Sequence, residues 1–143
     1  MNAIDTNVLV YLVDADEPAK QSQARALLDR LAVDESDTVL LWQAAVEFLA
    51  CLRRWESRGR ISRSQLTSYW QQIESMLPII PPTAPVIDLA LGLCSRHSLS
   101  HWDSLLLAAC IEAGATTLYS EDLSGGGIYD TVTVVNPFVV PVV

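Results

Sequence analysis

The chain has 143 residues, half of them hydrophobic and 18% charged, with a formal net charge of -8. That length suits one domain, 1–143, with one substantial core, and the composition excludes a disordered chain or a disulfide scaffold. No stretch approaches the roughly 18 uninterrupted apolar residues of a membrane span, and the first residues lack the basic and apolar run of a signal peptide, so a cytoplasmic location without a membrane partner is expected.

In chain order, Asn2 to Ile4 reads as a short buried strand that ends abruptly in an acid, Asp5, ahead of a helical "TNVLVYLV" segment. Apolar residues then recur at helical spacing in five places: Ala24, Leu27, Leu28, Leu31; Ala45, Phe48, Leu49, Leu52; Leu66, Tyr69, Trp70, Ile73; Ile87, Ala90, Leu91, Cys94; and Trp102, Leu105, Leu106, Ala109. Between them stand short β-type runs: "TVLLW" at 38–42, "PII" near 79, "TTLY" at 116–119 and "TVTVV" at 131–135. Strands alternating with helices predict an α/β domain with a mainly parallel central sheet flanked by helices. Gly59 and Gly114 fall where helices should end. The cysteines, Cys51, Cys94 and Cys110, have no CxxC spacing and read as reduced, buried thiols rather than zinc ligands.

Net acidity argues against nucleic acid, whose phosphates attract cations. Yet five of the nine basic residues, Arg53, Arg54, Arg58, Arg60 and Arg63, crowd into eleven positions. They describe either a solvated helix end favoured by the helix dipole or a local patch for an RNA backbone.

Open parallel sheets form their sites beyond the carboxyl ends of the strands. Four acids occupy such junctions: Asp5 after the first strand, Glu47 early in the helix after "TVLLW", Asp103 in the first turn of "SHWDSLLLAAC", and Asp122 after "TTLYS". Each also has a local explanation. Asp5 can cap a helix, Ser100 with Asp103 matches the S-x-x-[DE] capping box, Glu47 suits a helix N-terminus, and Asp122 can make a turn before "LSGGG". Together, four carboxylates on one rim repel one another unless a cation intervenes, and an oxygen-only set points to a hard divalent ion, Mg2+ or Mn2+. His97 and His101 read as a helix-end residue and a surface residue rather than ligands.

The blocks "AIDTNVLVYL", "QAAVEFLACL", "LSHWDSLLLAAC" and "LYSEDLSGGGIYDTVTVVNPF" resemble, in order, those of PIN domains, the last being similar to VapC-like toxins of bacterial toxin–antitoxin pairs. The resemblance implies a PIN-like fold and a metal-dependent ribonuclease. It places metal-binding and catalytic roles on Asp5, Glu47, Asp103 and Asp122, with Asn7 and Ser120 in support, and leaves Glu121 competing with Asp122 for the fourth acid position. It implies RNA as substrate, a cognate antitoxin whose arginine enters the acidic pocket as a substitute cation, and a homodimer. The helical pair from Gln43 to Leu77, with Trp55 and Trp70, offers a groove for the antitoxin or else packs within the core. A non-catalytic PIN-like interaction or RNA-binding module would keep the same fold. A receiver-like signalling module calls for a lysine late in the chain, and Lys20 is the only lysine.

Overall fold

The structure, a computed structural model, describes residues 1–123 and 127–139; Ser124 to Gly126 of the "LSGGG" run and residues 140–143 lie outside the described residues. The elements follow as β1 (Asn2–Ile4), α1 (Thr6–Val13), α2 (Pro18–Ala32), β2 (Thr38–Leu41), α3 (Trp42–Ser57), α4 (Arg63–Met76), β3 (Ile79–Ile80), α5 (Pro85–His97), α6 (His101–Ala113), β4 (Thr117–Tyr119), β5 (Ile128–Tyr129) and β6 (Val132–Val135). Local chemistry sets many of these limits. Pro18 opens α2 at a position where its missing N–H costs nothing. Ser62 and Gln65 close a reciprocal capping box at α4. Gly114 ends α6 at φ 82°, a left-handed conformation that a side chain would strain.

The strands form a sheet in the order β3-β2-β1-β4-β6-β5, parallel except for the β5–β6 pair at one edge. Alternation along each strand divides the core into two layers. Ile4 and Leu40 face α1 to α4, whereas Ala3, Val39, Leu41 and Leu118 face α5 and α6. No helix among the described residues is long and apolar enough to cross a membrane.

The expected stripes of α2 and α3 face the core, apart from half-buried Leu49, and in α4 Leu66 and Ile73 are buried with Tyr69 and Trp70 packed beside them. Trp55 is buried and Trp70 half-buried against the same cluster, so they pack the core rather than line an open groove. The α5 stripe is rotated from the expected one. Val86, Ala90 and Leu93 are buried, while Ile87 and Leu91 remain 67% and 69% exposed. In α6, Leu106 and Ala109 are buried as expected, but Trp102 is 63% exposed. Both sequences are apolar on more than one face, so spacing alone cannot choose which face packs. The edge strand β5, two residues long, is too short to announce itself.

The corrected α5 face gives a direct comparison. Leu93→Ala should cost about 2–5 kcal/mol by leaving a cavity, and Leu91→Ala within about 0.5 kcal/mol, in urea unfolding of dilute protein. Equal costs would return Leu91 to the core.

Candidate active site

The strand order reverses between β1 and β4: the chain moves outward from β1 through β2 to β3, then crosses to β1's other side. A crevice forms at such a switch point. Ile4 and Tyr119 are partners in register, and the Asp5 N–H donates to the Tyr119 carbonyl at 2.9 Å. Asp5 and Ser120 therefore leave adjacent strand ends side by side. The Ser120 hydroxyl donates to Asp5 Oδ2 at 2.7 Å, and the Thr6 N–H donates to Asp5 Oδ1 at 2.7 Å, so one carboxylate joins β4 and caps α1. Asn7 Nδ2 lies 3.5 Å from both Asp5 Oδ2 and Ser120 Oγ.

Glu47 reaches the same crevice from the second turn of α3. Thr6 Oγ1 stands 3.1 Å from Glu47 Oε2 and 3.2 Å from the Ala44 carbonyl, with one proton to share between them. Gln43, one turn earlier, donates to Glu47 Oε1 at 3.3 Å and to the Trp102 carbonyl at 3.1 Å, linking Glu47 to the start of α6. The Asp122 N–H donates to Ser120 Oγ at 3.2 Å. Asp5, Glu47 and Asp122, with Asn7, Tyr11 and Arg54, line an open pocket of about 420 Å³.

The remaining candidates are sorted by their partners. Glu121 turns aside to Lys20, with Oε1 2.5 Å from Nζ, so Asp122 is the neighbour that lines the pocket. Asp103 sits at the start of α6, outside the pocket lining; its N–H donates to Ser100 Oγ at 3.2 Å. Only the serine half of the expected capping box forms among the described residues, leaving the Asp103 carboxylate without a backbone donor. His97 stands 2.9 Å from Asp130 at the end of α5, and His101 packs edge-on to Trp102 at 4.7 Å, so neither faces the acids.

The arginines separate as well. Arg60 pairs with Asp14 at 2.5 Å and Asp16 at 2.9 Å and covers the Trp55 ring at 4.0 Å. Arg63 clasps both Glu56 oxygens, at 2.5 and 2.8 Å. Arg54 alone of the five lines the acidic pocket, while Arg53 and Arg58 are exposed on the surface.

Asp5 is 6% exposed, and its pKa rises from 3.8 to about 6. Burial is the main cause, the Ser120 and Thr6 hydrogen bonds oppose it, and the Asp122 and Glu47 charges push further upward. Burial likewise pushes the Cys110 thiol up to about 12, with the Asp5 charge adding to the effect. Burial also raises the Cys51 thiol at the pocket wall despite Arg54 beside it. Cys110 lies outside the pocket lining, and Cys51 stands on it with no second sulfur or imidazole among the described lining residues. The donor set thus fits a hard, oxygen-seeking divalent cation in kind. Its members line the pocket without closing on a point: among the described residues no three His, Cys, Asp or Glu side chains form a group that could hold a metal ion. Thr6 and Gln43 are the contributors that sequence reading passes over. Their signals were adjacency to Asp5 and the i, i+4 spacing to Glu47.

Because the folded pKa of Asp5 exceeds its unfolded value, the folded state keeps a proton that the unfolded state releases between pH 3.8 and about 6. Stability from this group is complete below that window and falls by on the order of 3 kcal/mol across it. In chelator, Asp5→Asn, which retains a capping oxygen, should gain on wild type by that amount as pH rises through the window. Urea unfolding checks this, and parallel profiles would remove Asp5 as the source of the decline.

Comparison of the sequence with curated proteins finds no match. Among solved structures, the chain is similar to the Mycobacterium tuberculosis toxin VapC20, described as cleaving the sarcin-ricin loop, with a TM-score of 0.65, 17% identity, and coverage of 85% of this chain and 90% of that one. It is also similar to FitAcB from Neisseria gonorrhoeae, with a TM-score of 0.70, 17% identity, and coverage of 96% and 99%. VapBC2 from Rickettsia felis, bound to a DNA fragment from its promoter, gives 0.68 and 14% identity, covering 93% and 96%. These likenesses concern the fold. The PIN domain model matches residues 3–124, running from within β1 past the end of β4, and the chain belongs to the PIN domain family.

Proposed function

We propose that this chain is a metal-dependent endoribonuclease and the toxin of a type II toxin–antitoxin pair. The observation that carries the reading is the placement of Asp5, Glu47 and Asp122 around one open pocket at the switch point, with Arg54 on its wall. In this reading Asp5, Glu47 and Asp122 hold Mg2+ or Mn2+, and Asp103 completes the set from the start of α6. Such an ion, when bound, stabilises charge on the phosphoryl oxygens and lowers the pKa of water. Ser120 and Asn7 orient Asp5, while Thr6 and Gln43 orient Glu47. Arg54 grips a phosphate of the RNA backbone and sets the strand against the acids.

Two further assignments belong to the same reading. Similarity to a Klebsiella pneumoniae toxin–antitoxin complex supports an antitoxin partner, whose arginine can replace the cation between the acids. A homodimer is supported by the apolar surface of α5 and α6, where exposed Ile87, Leu91 and Trp102 line two apolar grooves. A two-fold interface brings the same patch of both protomers together, so one apolar surface can serve both.

The separation of Asp103 from the pocket favours a second reading, a PIN-like module that binds RNA or protein without cutting. Freed of any co-expressed neighbour, the protein should cleave defined tRNA, rRNA or mRNA fragments with Mg2+ or Mn2+ and stop on chelation. Ser120→Ala should lower cleavage about 10–100-fold by loosening Asp5. Asp103→Asn should abolish it without unfolding the chain, since Ser100 caps α6 through a backbone N–H. Intact RNA throughout would favour the binding module.

The sorting of the arginines yields a separate expectation. Arg54→Ala should weaken RNA binding and reduce the slope of log affinity against log salt by about 1, whereas Arg63→Ala, already neutralised by Glu56, should change neither. Equal effects would mean the cluster acts as a diffuse charge.

A further inference from the structure

The chain leaves β4 through Ser120 into two consecutive acids of nearly the same chemistry, Glu121 and Asp122. Their surroundings differ sharply. The Glu121 N–H donates to Asn7 Oδ1 at 3.2 Å, and its side chain meets Lys20 Nζ at 2.5 Å. The same ammonium donates to the Tyr11 hydroxyl at 3.1 Å and lies 4.5 Å from the Tyr11 ring centre and 5.8 Å from that of Phe138. Tyr11 and Phe138 pack edge to face at 4.9 Å, fixing the aromatic floor beneath the pair. Among the described residues Asp122 makes no such pair, and it lines the acidic pocket.

We propose that Lys20 is a positioning residue that sorts these two carboxylates, holding Glu121 on the α1–α2 side so that Asp122 alone joins Asp5 and Glu47. The inference rests on the metal-dependent ribonuclease reading. The physical need for sorting is close at hand: Tyr11 lines the pocket and also contacts the ammonium that holds Glu121, so a released Glu121 lies at the pocket's edge. The Lys20 and Glu121 side chains are only 33% and 26% exposed, a partly shielded setting in which an ion pair is screened less than on the open surface. Lys20 is the chain's only lysine, and Arg60 and Arg63 are committed to other acids. Without Lys20, a cation among Asp5, Glu47 and Asp122 becomes the attractive partner for Glu121. An added carboxylate strengthens cation binding but fills the open position a substrate phosphate needs.

That logic makes affinity and turnover move in opposite directions, which a merely structural lysine would not do. Mn2+ affinity by calorimetry and cleavage of a fluorophore-quenched single-stranded RNA would be measured for wild type, Lys20→Met, Glu121→Gln and the double variant. Lys20→Met should bind Mn2+ about tenfold more tightly while cleaving about tenfold more slowly. Glu121→Gln should resemble wild type, and adding it to Lys20→Met should restore both values, as should Lys20→Arg in place of Met. Thermal unfolding in chelator reports whether each variant folds, with Lys20→Gln as the alternative if Lys20→Met does not. Unchanged Mn2+ affinity in Lys20→Met or Lys20→Gln, or parallel losses that Glu121→Gln does not restore, overturns the sorting role while leaving the metal reading in place. Wild type that binds no Mn2+ overturns both.

Discussion

The hydrogen bond from Ser120 to Asp5 joins the ends of β1 and β4 at the switch point between them, with the Asp5 carboxylate almost wholly buried. A carboxylate so placed loses hydration and faces Glu47 and Asp122, and its raised pKa records both penalties. Two short donors, from Ser120 and Thr6, offset part of the cost, and they come from the strand and the helix that the acid connects. Asp5 thereby organises the local backbone and concentrates negative charge in the same place. A residue chosen for stability alone would keep the cap and omit the repulsion, so Asp5 carries a cost that the local backbone does not require.

How the fold positions charge follows from its direction. Every parallel strand delivers its carboxyl end to one rim, and helices that follow those strands begin there. Asp5 caps α1, α3 starts directly after β2, and Gln43 ties the α3 start to the α6 start through Trp102. Three helix N-termini, each carrying partial positive charge, therefore gather where the acids gather. Their fields moderate the repulsion without cancelling it, which makes a crowded carboxylate pocket tolerable in a chain of net charge -8.

Much of this geography is legible in sequence because strand alternation and junction position are short-range properties. "NAI" followed by Asp5, and "TTLY" followed by Ser120 and Asp122, mark strand ends without any knowledge of the partner strand. The register that sets Asp5 beside Ser120 is long-range, and no local pattern encodes it. The same limit explains the rotated α5 face. The segment from Val86 to Cys94 carries apolar residues at enough positions to draw two stripes, and only contact with α6 and the sheet chooses between them. At Asp103, S-x-x-D spelled a capping box, but the carboxyl half does not form, so the motif described the serine's work and misassigned the acid's.

Charge density misleads for a related reason. The crowding of Arg53, Arg54, Arg58, Arg60 and Arg63 suggests a uniform basic surface, whereas Asp14, Asp16 and Glu56 neutralise Arg60 and Arg63. Asp14 and Asp16 lie well before the cluster, Asp14 46 residues from Arg60, while Glu56 stands inside it. What reaches the acidic pocket is one guanidinium, Arg54, seven residues and two helical turns beyond Glu47 on the same face of α3. One helix thus presents a carboxylate and a guanidinium to a single pocket, at a spacing set by its own pitch. Under the ribonuclease proposal a phosphodiester would take both signs there: cation-mediated contact at one part of the backbone and direct positive contact at another. Opposite charges on one rigid face provide them without requiring the surface as a whole to be basic.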